Sequence, residues 1–150
     1  MNVRIEVRGW VKAVDWDTEG TLTFSNDISQ QQAEQALRRF WNRVDTALYG
    51  NAAKRYGKRC QRLNVIEGDG VASRYHFHIA AKRPSERFAT ITAFADFLRK
   101  QWLADNPNNF VVSFAPIRDV ERYTNYITKN VQRGHCDALI LDSSHISAAS

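Results

Sequence analysis

Arg74-Tyr75-His76-Phe77-His78-Ile79-Ala80 is the stretch on which both the fold and the chemistry turn. Tyr75, Phe77 and Ile79 alternate with His76, His78 and Ala80, which is the period of a strand with one apolar face. His76 and His78 therefore stand side by side on the other face. Two imidazoles held on a rigid strand are half of a metal site. Gly68-Asp69-Gly70 marks a turn just upstream, and Leu63 to Glu67 reads as the strand before it. A hairpin through that turn returns Glu67 to His76. The set is then two nitrogens and one carboxylate, with coordination positions left open. A His-x-His pair also occurs on strands that bind nothing, so the rest of the chain has to be weighed.

The helix predicted from Ile117 to about Val131 adds the next groups. Val120, Tyr123, Ile127 and Val131 follow a helical period and form its core stripe, which reads Tyr123 as packing. Asp119, Arg122, Tyr126, Lys129, Asn130 and Arg133 share the polar face. Tyr126 projects outward there with Lys129 one turn on. Alone, Tyr126 is an ordinary surface tyrosine; beside a metal cluster it is a nucleophile.

In these residues the chain resembles the HUH endonucleases, and among them the single-tyrosine initiators of rolling-circle replication. His76-Phe77-His78 matches the family's His-hydrophobe-His, Glu67 its acidic ligand on the preceding strand, and Tyr126 with Lys129 its Tyr-x-x-Lys. Thr21-Leu22-Thr23-Phe24 matches a less specific strand motif. The resemblance implies metal ligands Glu67, His76 and His78, a nucleophile Tyr126 and an assisting Lys129. It implies a Mn²⁺ or Mg²⁺ cofactor, and nicking and rejoining of single-stranded DNA at a replication origin through a 5′-phosphotyrosine. It further implies a host helicase or polymerase as partner, and a cytoplasmic protein, or a nuclear one if a virus of a eukaryotic host encodes it. A transposase or relaxase with the same chemistry fits the same residues. So does a noncatalytic RNA- or DNA-binding module on the same sandwich.

The remaining chain supplies a frame for these groups. Its 150 residues suit one domain, read as 1–142 with a mobile Ser- and Ala-rich tail over 143–150. Net charge is +5, which favours an anionic partner. Cys60 and Cys136 lack metal-site spacing and read as free thiols of a reducing compartment. The charged N-terminus lacks the apolar core of a signal peptide, and no apolar run reaches membrane-spanning length, so no membrane partner is expected.

Val3, Ile5 and Val7 alternate like a strand. Asp17 to Gly20 reads as a turn into a strand over Thr21 to Ser25. Ser29 and Gln32 form a capping-box pattern before a helix carrying Ala33, Leu37, Phe40, Trp41, Val44 and Leu48, with Gly50 as its stop. Ser85 is the expected cap of a second helix, which Asn106-Pro107 ends. Phe110 to Ala115 and Ala138 to Leu141 read as strands. Without the N-terminal strand the order is β-α-β-β-α-β-α. That is an α+β, ferredoxin-like or RRM-like split βαβ sandwich, with helices on one face of a mainly antiparallel sheet.

Predicted DNA contacts are Arg74, Lys82 and Arg83 beside the histidine strand, and the run Lys54, Arg55, Tyr56, Lys58, Arg59 and Arg62. That run is either a solvated loop or a phosphate-tracking surface with Tyr56 for base stacking. Trp16 is a further candidate for stacking, with core packing the competing reading.

Overall fold

The fold was obtained as a computed structural model, which describes residues 9, 12, 14–106, 108, 112–127, 129 and 144–146. The expected strands over Val3 to Val7 and Ala138 to Leu141 lie outside these residues. Four strands, β1 (Thr18–Leu22), β2 (Arg62–Glu67), β3 (His76–Ala81) and β4 (Val112–Pro116), form an antiparallel sheet in the order β2-β3-β1-β4. The helices whose bounds lie within the described residues are α1 (Gln30–Tyr49), α2 (Asn51–Tyr56), α3 (Ile91–Asp105) and α4 (Val120–Ile127). This is the expected split βαβ arrangement: β3 lies between β1 and β2, and β1 between β3 and β4.

Strand parity gives the sheet two unlike faces. Leu22, Ile66, Phe77, Ile79 and Ala81 point to one side, where they pack with Leu37, Phe40, Trp41 and Val44 of α1 and Phe94, Leu98 and Trp102 of α3. The long helices thus share one face. Leu63, Val65 and Ala80 point to the other, where they meet Val14, Trp16 and Ile127 of α4. Among the described residues this second core covers only part of its face, and His76 and His78 stand beyond it. Trp16 is 1% exposed, which settles it as packing. Among the described residues no helix is long and apolar enough to cross a membrane.

Local signals set most of the boundaries. The Ser29 hydroxyl accepts from Gln32 N, and the Gln32 side chain accepts from Ser29 N. Such a cap stabilises a helix by ~1 kcal/mol. Gly50 ends α1 at φ 55°.

Several expectations are corrected. The second helix starts at Ile91, with Thr90 and not Ser85 accepting from Ala93 N at 3.1 Å. β1 begins at Thr18, so Asp17 to Gly20 is not a turn. Thr18 pairs with Ala81 on one side and Pro116 on the other, and two flanking ladders outweigh a local Asp/Gly preference. Gly20 has a different reason to be there. A Cβ on it would lie 2.4 Å from the Phe114 ring, which packs down on β1. The last helix starts at Val120, where the Asp119 carboxylate accepts from Arg122 N.

The tail is anchored at 144–146. His145 exchanges both backbone hydrogen bonds with Arg62, and Ser144 Oγ accepts from Asn64 N. Unpaired groups on the edge strand β2 thereby find partners.

Candidate metal centre

β2 and β3 place the cluster by register alone. Glu67 lies opposite His76, and Val65 opposite His78, on the face away from the long helices. Gly68 (φ 99°) and Gly70 (φ 75°) turn the chain between the strands in the left-handed region, which Gly adopts without penalty. Asp69 holds the turn by accepting from the backbone of Val71, Ala72 and Ser73.

Both histidine Nε2 atoms converge on one oxygen. His76 Nε2 is 3.2 Å and His78 Nε2 3.1 Å from Glu67 Oε2. The three ligand atoms lie within 4.8 Å of one another. The His76 Nδ1 is 3.1 Å from the Arg74 carbonyl. A carbonyl only accepts, so Nδ1 donates there and Nε2 is the ring atom turned toward the carboxylate. A ring nitrogen and an anionic oxygen approach this closely to advantage only with a proton or a cation between them. Burial, against the pull of Glu67, lowers the His78 pKa and keeps that ring neutral, the form that ligates. Burial raises Glu67, but His78 and Lys129 outweigh it and hold the carboxyl below its ordinary value. The group fits a divalent cation on the chemistry of its donors.

α4 brings the remaining predicted groups to the same place. The Tyr126 ring meets His78 edge-on, with centroids 5.5 Å apart. The Lys129 ammonium lies 4.6 Å from the Tyr126 centroid and 3.3 Å from Glu67 Oε1. One lysine thus touches both the phenol and the carboxylate. Tyr126 is 48% exposed. Tyr123 is half-buried, and its hydroxyl donates to the Ile79 carbonyl at 2.6 Å while burial pushes its pKa up. Tyr123 is therefore committed to packing.

The predicted DNA contacts are not brought together. Arg74 stands next to the cluster, paired with Asp27 at 3.1 Å. Lys82 and Arg83 follow the far end of β3, ~20 Å along the strand from His76. Lys82 pairs there with Asp15 and Asp17, and Arg83 donates to the Phe88 carbonyl. Lys54, Arg55, Tyr56, Lys58 and Arg59 are exposed on or just after α2, before the same far end of β2. Arg62 is a correction. It is 1% exposed, bonded to Asp45 and stacked 4.8 Å from the Trp41 centroid, so it holds the core and cannot meet a phosphate. Burial raises the Cys60 thiol to about 12, which makes it a poor ligand. Cys136 and Arg133 lie outside the described residues.

A second feature escaped the sequence reading. An open groove of about 790 Å³ runs from His78 and Tyr126 across β1 to the start of α4, past Glu19, Thr21, Arg118 and Arg122. The sequence did not signal it, because Glu19 lies in a segment read as a turn and reaches the histidine face only through the pairing of β1 with β3.

Fold and site together define an α+β sandwich with a His-His-Glu cluster facing a helix-borne tyrosine. No protein-family model, curated protein or solved structure matches the chain.

Proposed function

We propose that the chain nicks and rejoins single-stranded DNA through Tyr126, as the resemblance to HUH endonucleases implies. The observation that carries this is the juxtaposition of an exposed phenol, a lysine ammonium and a His-His-Glu cluster on one open sheet face. A divalent cation held by Glu67, His76 and His78 would supply Lewis-acid polarisation of the scissile phosphate. The carboxylate with two imidazoles suits Mn²⁺ or Mg²⁺, with Mn²⁺ favoured by the nitrogens.

The chain's own groups do the rest. The Tyr126 hydroxyl is the nucleophile, and a phenol is only slightly ionised at neutral pH. The Lys129 ammonium over its ring supplies a positive charge that opposes the repulsion between the attacking oxygen and the phosphodiester. Attack forms the Tyr126 Oη–phosphorus bond and breaks the bond to the 3′ oxygen. The phenol proton leaves to solvent, and the released 3′ oxygen takes one up. The 5′-phosphotyrosyl product is again a diester, so the reverse step reseals a strand without a nucleotide cofactor. An extended single strand fits the open face, and a duplex would hold its backbone out of line. The work of such an enzyme is the initiation of rolling-circle replication.

The test is covalent. Labelled single-stranded oligonucleotides from a randomised pool, incubated with Mn²⁺ and run on a denaturing gel, are expected to yield a slow-migrating protein–DNA adduct. Tyr126→Phe abolishes it and Tyr123→Phe keeps it. Absence of adduct with every oligonucleotide, alongside retained binding, assigns the chain to the noncatalytic modules instead.

A further inference from the structure

From the cluster a groove extends beyond the groups that the nicking chemistry uses. It begins at His78 and Tyr126 and extends over β1 and β4 to the residues before α4, which puts it within reach of a nucleotide next to one bound at Tyr126. Its volume, about 790 Å³, falls within the ~300–1,000 Å³ of small-molecule sites.

Glu19 stands in the floor. Its cross-strand partners are Ala80 and Ala115, which are too small to cover its carboxylate. Glu19 is half-buried, and its carboxylate has no hydrogen bond or ion pair with any described residue; burial raises its pKa and the charge of Arg118 opposes that rise. Arg118 and Arg122 are exposed at the rim, and their guanidinium groups make no hydrogen bond or close ion pair among the described residues. Asp119, the other acid there, is already committed to the Arg122 amide. The Tyr123 and Tyr126 rings form the wall.

We infer that this groove is a nucleotide pocket that selects guanine, with Glu19 reading the base and Arg118 and Arg122 holding the adjoining phosphates. This rests on the nicking reading for its ligand class, single-stranded DNA. The choice of base follows from donor geometry. An ionised carboxylate only accepts, through two oxygens side by side. Guanine presents two adjacent donors, N1–H and the 2-amino group. Cytosine and adenine each place a ring acceptor beside their single amino group, which faces the second oxygen unfavourably. Thymine offers one N–H between two carbonyls. A bare carboxylate between small neighbours therefore selects guanine, while the arginines contact any sequence.

Fluorescence anisotropy in EDTA, where no cleavage competes, tests this with a twelve-thymine strand carrying one central guanine. The same strand with inosine, which lacks the 2-amino group, is the comparison. The unaltered protein is expected to bind the guanine strand at least about five-fold more tightly, the lower end for a bidentate base contact. Glu19→Gln, checked for folding by circular dichroism, is expected to bind both equally. Arg118→Ala is expected to weaken both strands alike and to flatten their salt dependence. Equal affinity of the unaltered protein for both strands, or a guanine preference surviving in Glu19→Gln, overturns the inference. Adduct formation at Tyr126 without base preference sinks the pocket alone. A Glu19-dependent preference without adduct sinks the nicking reading alone.

Discussion

At the scale of single residues, the same chemistry has opposite meanings in different surroundings. Arg62 and Lys129 are both cations paired with a carboxylate. Arg62 is 1% exposed, donates to both Asp45 oxygens and to the Cys60 carbonyl, and lies beneath the sheet. Lys129 is partly exposed between Glu67 and Tyr126, where solvent reaches it. Asp45→Ala leaves the Arg62 charge buried without its counter-ion and orphans the Cys60 amide. It is expected to cost ~3–5 kcal/mol, read as a lower midpoint in urea unfolding. The double variant Asp45→Leu with Arg62→Met removes both charges and should recover part of that loss. If Asp45→Ala unfolds at the midpoint of the unaltered protein, the pair does not hold the core. Tyr123 and Tyr126 show the same lesson three residues apart on one helix. One phenol bonds a buried carbonyl, and the other lies against an imidazole.

At the scale of elements, the hairpin β2-β3 does two jobs. One face packs on the long helices, and the other aligns Glu67 with His76 and His78. Its far end is closed by residues 144–146 on the outer edge of β2, and His145 there has a pH sign that can be worked out. Burial, with Arg62 and Arg59, holds its pKa below the ordinary value. As pH falls, the unfolded chain takes up this proton first, near ~6.5. The stability from the neutral ring is therefore present above that pH and is lost as pH falls toward the folded value. Between pH 7.5 and 5.5 the melting temperature of the unaltered protein should fall more than that of His145→Gln. Parallel melting curves for the two proteins would remove this segment as a pH-sensitive clasp.

For the whole molecule, the cluster is a point where binding of a cation would feed into stability. A cation bound only by the folded chain at 100 times its Kd adds ~2.7 kcal/mol. Mn²⁺ is expected to raise the melting temperature, and Glu67→Ala to abolish the rise. An unchanged melting temperature of the unaltered protein at millimolar Mn²⁺ would argue against a resident metal. How much of this was legible beforehand varies by feature. The strand of His76 and His78, the hairpin to Glu67 and the outward turn of Tyr126 were readable because period-2 and period-3.6 patterns assign faces without any tertiary knowledge. The order of elements fixed the sandwich for a related reason: short connections leave few ways to cover one apolar sheet face. The start of β1, the cap at Thr90, the burial of Arg62 and the anchoring of His145 were not readable. Each depends on a partner many residues away that outbids a local preference. The same holds for the groove, since Glu19 and Arg118 come from segments that only the pairing of β1 with β4 makes neighbours. Linear periodicity determined which way each side chain points; three-dimensional pairing alone decided what it meets there, because contact energy depends on distance in space and not along the chain.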